Sequence, residues 1–213
     1  NISITSGLIQ RSKKFGFSQN AKKYKLIAEK CKKSFNDKFY NKRRKCLYDV
    51  LGDSKIRPNQ LFALSLTYPV IEADSEEAKN IISVVEKKLL NAYGLKTLAK
   101  GEENYVEVYE GDGKKRDSSY HQGITWPWLL GLYYNALKNI LKKTKKKDAK
   151  KELETKLEKF IEKTSKTFQK EISHNGCIGS ISELYDSRKP YLPKGTIAQA
   201  WSVAEVFRII LNK

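Results

Sequence analysis

Two stretches of this chain hold residues whose types and spacing suit chemistry better than packing. The first, Gly176 to Arg208, reads GCIGSISELYDSRKPYLPKGTIAQAWSVAEVFR; it begins rich in Gly, Ser and Pro and ends with a helical pattern. Its Glu183 is flanked by Ile181 and Leu184 rather than by other acids. A carboxylate among apolar neighbours on a loop can hold or move a proton, because loops carry chemistry that scaffolds position. On composition alone a solvated loop acid is the favoured reading. The second stretch, KRDSSYHQGITWPW, places Tyr120, His121, Gln122, Trp126 and Trp128 within nine residues. Aromatic faces stack on the apolar faces of sugar rings, while amide, carboxylate and guanidinium groups take the hydroxyls. The competing use of both tryptophans is as core anchors at a helix start. Trp126 is expected at a pocket rim, and Trp128 fits either place. The adjacent Arg116 and Asp117 suit an ion pair or a hydroxyl ligand better than a titrating catalyst. Arg57 can hold a loop or a sugar, and His174, beside Asn175 and Gly176, reads as a turn residue.

These groups need elements to hold them. From Asn20 to Phe39 the residues Tyr24, Ile27, Ala28, Cys31, Phe35 and Phe39 recur at helical spacing with Lys on the other face, an amphipathic helix. A polar turn at 41–44 and a short extended piece at 46–51 follow. The run after Pro58 is apolar nearly all round, which predicts a buried helix over 60–68, closed by Pro69. Asp74 and Glu77 have capping-box spacing and start a helix that Asn91 and Gly94 end. The segment 94–122 has little period and reads as a functional loop. Further helices are expected from Pro127 onward, over 148–171 and over 196–211, with Gln199 and Trp201 in the first turn of the last, facing the same end as Glu183. That makes six helices and no convincing sheet. Nearly apolar helices (60–68, 126–137, 197–210) alternate with amphipathic ones (20–39, 75–91, 148–171), as an inner and an outer ring would require. The loops around Arg57, His121 and Glu183 all precede inner helices, so they should converge on one face.

Five segments occur in order between about residues 56 and 208: IRPNQLFALSL, YGLKTL, KRDSSYHQGITWPWLLGLYYNAL, ISELYD and AQAWSVAEVFR. As a set they resemble the amylo-α-1,6-glucosidase domain of glycogen debranching enzymes; SFNDKFYN and CLYDVLGD match more loosely. The resemblance implies an all-α fold, the C-terminal part (about six helices) of an (α/α)6 toroid related to glucoamylase. Residues 1–213 would be one partial domain whose N-terminal half precedes them. It implies hydrolysis of α-1,6-linked glucose at branch points of glycogen-like glucans, with inversion and with no metal or organic cofactor. Inversion needs an acid for the leaving oxygen and a base for water, held roughly 6.5–9.5 Å apart. Glu183 inherits the base by motif position. The family's acid is an Asp in a Thr-Trp-Met-Asp-like motif that does not occur here, so it is expected upstream and these residues alone are expected to be inactive. Substrate contacts are expected from Arg57, Arg116, Asp117, Tyr120, His121, Gln122, Trp126, Gln199 and Trp201. The implied partners are a branched α-glucan and the rest of the toroid, in the cytoplasm. A non-catalytic glucan-binding remnant is the alternative.

Composition leaves one further class open. The 42 Lys and Arg against 24 Asp and Glu give a net charge of +18, which raises a nucleic-acid binder. Between Lys138 and Lys151 eight Lys face one Asp, and Arg, the bidentate reader of phosphates, is absent there, so a solvated helix end is the better reading. Hydrophobic content of 39% suffices for a core, and no window reaches membrane-span length, so a soluble chain is expected. Neither a leader sequence nor an initiator Met is present, and Asn1 reads as an internal residue of something longer. Cys31, Cys46 and Cys177 lack zinc-ligand spacing and suit free thiols in a reducing compartment.

Overall fold

A computed structural model describes residues 2–16 and 18–211 of the chain. Helix α1 (Ile2–Lys14) packs against α2 (Ser18–Phe39), whose last turn stacks Phe35 on Phe39 at 4.6 Å between ring centres. α1 has no counterpart in the sequence reading, because its Ser, Thr and Ile residues are mediocre helix formers. Strands β1 (Tyr40–Asn41) and β2 (Cys46–Leu47) then form a small antiparallel hairpin. A 3₁₀ turn over Pro58–Leu61 leads into α3 (Phe62–Ser65), which stops at the extended Leu66, earlier than the helix expected over 60–68. The freed carbonyls are answered from elsewhere: the Asn139 amide donates to Leu64 O at 2.7 Å and to Leu66 O at 3.1 Å.

Helix α4 (Glu76–Lys88) is capped by Ser75 rather than Asp74, its hydroxyl accepting from Ala78 N at 3.1 Å. It buries Ala78, Ile81, Ile82 and Val85, the face its period predicts. The expected long loop instead contains strand β3 (Leu95–Lys96) and helix α5 (Gly113–Ser119), which is capped by Asp112. Next come β4 (Thr125–Trp126), a 3₁₀ turn over Pro127–Leu129, α6 (Leu130–Lys143), α7 (Lys147–His174), β5 (Leu184–Tyr185), β6 (Pro193–Lys194) and α8 (Ala200–Leu211). The four two-residue strands β3-β4-β5-β6 make one antiparallel sheet that the sequence reading missed. Two residues are too few to show an alternating period. The sheet staples the start of α6 to the loop that carries Glu183.

α6 is the hub, buried nearly all round through Leu130, Gly131, Tyr133, Tyr134, Ala136, Leu137 and Ile140. α3 and α8 pack against it as an inner row, and α7 covers α6 and α8 from outside. The crossing of α6 and α8 is close enough that a Cβ on Gly131 would meet the Glu205 carboxylate at 1.6 Å. The alternation of apolar and amphipathic helices thus corresponds to an inner and an outer layer of a helical toroid part. α8 departs from expectation in one respect. It buries Ser202, Val206 and Ile209 but leaves Phe207 and Leu211 exposed, so in this chain its inner-ring character is used on one side only.

Candidate active site

Glu183 is fixed by the loop's own backbone. Its N–H donates to Thr196 O at 2.9 Å, and Gln199 N donates to Ile181 O at 2.9 Å, so the loop folds back on itself. α8 starts at Ala200 and not at Thr196: the N–H groups of Thr196 and Gln199 are both committed to the loop, to Glu183 Oε2 and Ile181 O. Gln199 therefore precedes the helix and Trp201 is its second residue. Behind the loop, buried Glu171 at the end of α7 accepts from the Tyr185 hydroxyl at 2.8 Å and from the Asn175 amide at 3.2 Å. In front, Asp186 accepts from Tyr109 N at 2.8 Å, joining the loop to the segment before α5.

The Glu183 carboxylate is only 7% exposed yet opens onto a pocket. Oε2 accepts from Thr196 N at 2.9 Å and from the Thr196 hydroxyl at 3.1 Å, Oε1 accepts from the Tyr120 hydroxyl, and the Gln199 side chain adds a further bond. Burial pushes its pKa up, but the donors together outweigh burial and hold the carboxyl below its ordinary value. Glu183 is accordingly ionised at neutral pH. Burial and the neighbouring Glu183 both push the Tyr120 hydroxyl well above its usual range, so it remains a donor. Gly195 lies against the carboxylate at φ +70°, and a Cβ there would come 2.6 Å from Oε2. Only glycine combines that backbone with that approach.

The pocket has a volume of about 870 Å³. Tyr109, Glu110, Arg116 and Asp117 line it from the segment around α5, and Lys194 and Thr196 from the loop before α8. Of the residues expected to bind substrate, Arg116, Asp117 and Tyr120 line it beside Glu183. The Arg116–Asp117 ion pair does not form; the guanidinium donates to Gly111 O at 2.5 Å, and both side chains are exposed. Arg57 stands behind the wall. It donates to Thr97 O at 3.1 Å, His121 O at 2.7 Å and Gln122 Oε1 at 3.0 Å, and lies 3.7 Å from Asp49 Oδ2. Of the two uses the sequence allowed it, the structure shows the loop-holding one, with Gln122 as its acceptor.

Trp126 is not at the rim. It is 2% exposed, because β4 turns it inward, and its indole donates to Tyr120 O at 3.2 Å. It is the floor on which Tyr120 sits edge-on at 4.7 Å and His121 stacks at 5.2 Å. Partial desolvation first, then Arg57, lowers the His121 pKa, so the ring, packed on Trp126 and Tyr120 yet still reached by solvent, is neutral at neutral pH. Trp201 is 46% exposed, 5.9 Å from Trp126 and stacked on Trp128 at 5.7 Å, giving an aromatic path that leads from Tyr120 out to solvent. His174 is exposed at the last residue of α7. Sequence reasoning missed Tyr109, Glu110, Lys194, Gly195 and Thr196. Gly195-Thr196 falls within the run KGTIAQAW, so a signal was there, without a chemical type to single it out.

Among the described residues, no three His, Cys, Asp or Glu side chains gather as a metal site would, and no helix is long and apolar enough to cross a membrane. A solved structure described as a sialidase superposes with a TM-score of 0.70 over 98% of this chain, at 14% identity, a likeness of fold. The chain spans 18% of that protein's length. Residues 5–208 match the family described as amylo-alpha-1,6-glucosidase. With nearly the whole chain matched, this chain belongs to the amylo-alpha-1,6-glucosidase family, of glycogen-debranching-type glycoside hydrolases.

Proposed function

We propose that the chain supplies the base-bearing part of an inverting hydrolase that removes α-1,6-linked glucose from branched α-glucans. The observation that supports this best is the state of Glu183: buried, ionised and facing an open pocket. A general base must carry its charge before the substrate arrives and must reach the water through the pocket. Thr196 donates to Oε2 and Tyr120 to Oε1, and both line the pocket, so they are the donors with which an attacking water would share the carboxylate. The exposed polar groups of the wall, Arg116, Asp117 and Glu110, are suited to sugar hydroxyls, and Trp201 offers a ring face at the outer end of the aromatic path.

On this proposal the general acid comes from outside residues 1–213, together with the helices that would continue the inner ring past the exposed face of α8. The test uses the full-length protein, a limit dextrin, and proton NMR of the first sugar released. Glucose appearing as the β-anomer supports inversion at an α-linkage. α-Glucose would overturn the inverting mechanism, and retention on a glucan resin with no sugar released would replace the hydrolase by a glucan-binding module.

A further inference from the structure

About 20 Å from the Glu183 end, one helix length along α6 at 1.5 Å per residue, a second cavity of about 570 Å³ opens between α4, the end of α6 and the start of α7. Its floor is apolar: Ile82, Leu137, Ile140 and Leu153 line it. Five lysines also line it, Lys79, Lys143, Lys145, Lys146 and Lys156, against Asp74, Glu86 and Glu152. Glu86 is already taken, by the Lys156 ammonium at 3.0 Å and by the Tyr133 hydroxyl at 2.6 Å. Lys79 pairs with Glu76 at 2.5 Å. Among the described residues, Lys143, Lys145 and Lys146 form no ion pair, and all three are exposed at the mouth.

A second feature adds positive potential at the same place. α7 is 28 residues long; its N-cap, Lys146, makes no side-chain capping bond, and Asp148 is the acidic residue of its first turn, so the helix end beside the cavity keeps N–H groups without a cap from Lys146. Ala149 of that turn, with Lys145 and Lys146 just before it, lines the wall. Free ammonium groups and open N–H groups together favour an anion with several acceptor oxygens. The anion alone does not account for the rest of the cavity. Inorganic phosphate would leave the aliphatic floor wet, whereas a flat ring would cover it. Asp74, Glu152 and Ser83 on the wall can accept from ring N–H or ribose hydroxyl groups.

We propose that this cavity is a binding site for a nucleotide phosphate, with the phosphate on Lys143, Lys145 and Lys146 and the base on the aliphatic floor. The site is separate from the Glu183 pocket, and its occupancy does not depend on the hydrolase reading. The experiment is calorimetric titration of the full-length protein with AMP, with adenosine and with inorganic phosphate, at about 0.1 M salt where exposed charges are partly screened. AMP is expected to saturate with a Kd below about 1 mM and to bind more tightly than either part. Lys143→Ala/Lys145→Ala/Lys146→Ala should weaken it by about tenfold or more, with an unchanged melting temperature since these side chains are exposed. Lys163→Ala/Lys166→Ala/Lys170→Ala, exposed lysines further along α7, removes the same charge away from the cavity and should leave binding intact. Failure of AMP to saturate overturns the site. So does equal weakening by the control variant, which would show general attraction to a basic surface. Phosphate binding as tightly as AMP would remove the role of the floor.

Discussion

Glu183 and Glu171 are both buried glutamates, and each accepts a bond from a tyrosine hydroxyl, yet they differ in what can reach them. Glu171 is 1% exposed and sealed between α7 and the loop, where Tyr185 and Asn175 answer its oxygens. Glu183 is almost as buried, but Gly195 leaves room in front of one oxygen and the pocket opens beside it. Burial and hydrogen bonding alone therefore do not distinguish the proposed base from a strut. The difference is access, and behind that access stands a glycine at positive φ.

The comparison breaks most easily at Glu183. Glu183→Gln keeps the volume and can present a carbonyl oxygen to Thr196, so the fold should persist, but it cannot accept the water's proton. Glucose release should fall by about 10²–10⁴-fold with a nearly unchanged melting curve. Turnover at the wild-type rate would end the assignment of the base. Gly195→Ala tests access itself. The added Cβ must displace the carboxylate or the loop, and a displacement near 1 Å costs about 10²-fold in rate. A fully active Gly195→Ala enzyme would show that the close approach does not matter.

Glu171→Ala should reverse the pattern. It strips the buried Tyr185 hydroxyl of its carboxylate partner and should cost about 1–3 kcal/mol of stability, measured by denaturant unfolding. Its activity loss should follow loosening of the loop, so the pH profile should keep its shape. A smaller effect is expected at Tyr120. Tyr120→Phe removes one of the donors that hold the Glu183 pKa down, so that pKa rises. Activity requires the ionised base and is lost as pH falls through its pKa, so the acid limb of kcat/KM should move to higher pH. An acid limb left in place would show that Tyr120 does not set the ionisation of Glu183.

The helices that position these groups were legible wherever one apolar face repeats over several turns, as in α2, α4, α6 and α7. Legibility failed where the structure is short or is set by tertiary bonds. The strands β3 to β6 have no period to read, α5 is announced only by the Asp112-Gly113 cap, and the early end of α3 at extended Leu66 is accommodated by a distant side chain, Asn139, which donates to the Leu64 and Leu66 carbonyls. At the site, Glu183 was named through the resemblance carried by ISELYD, and the geometry then placed it in a pocket. Trp126 was misplaced because sequence gives no register for a two-residue strand, and register decides whether the indole faces the pocket or the core. Arg57, Tyr120, His121 and Glu183 were each legible as site residues but their pairings were not, since those contacts span 64 and 63 residues of chain.

The smallest expected effect concerns the lysines that dominate the far end of α6 and the start of α7. If this junction is solvated and takes no part in hydrolysis, then Lys145→Glu/Lys146→Glu/Lys147→Glu should leave glucose release unchanged. All three side chains are exposed, and surface substitutions away from special features usually stay within about 0.5 kcal/mol. The position favours acids in one further respect, because negative charge in the first turn of α7 complements the open N–H groups there. The melting temperature should therefore hold or rise slightly. The Glu183 pocket lies one helix length away, beyond the roughly 10 Å over which exposed charges act at 0.1 M salt. Steady-state assays on the limit dextrin decide the point. A large loss of activity would mean that the basic end reaches the glucan, and the division of labour between the two ends of α6 would have to be redrawn.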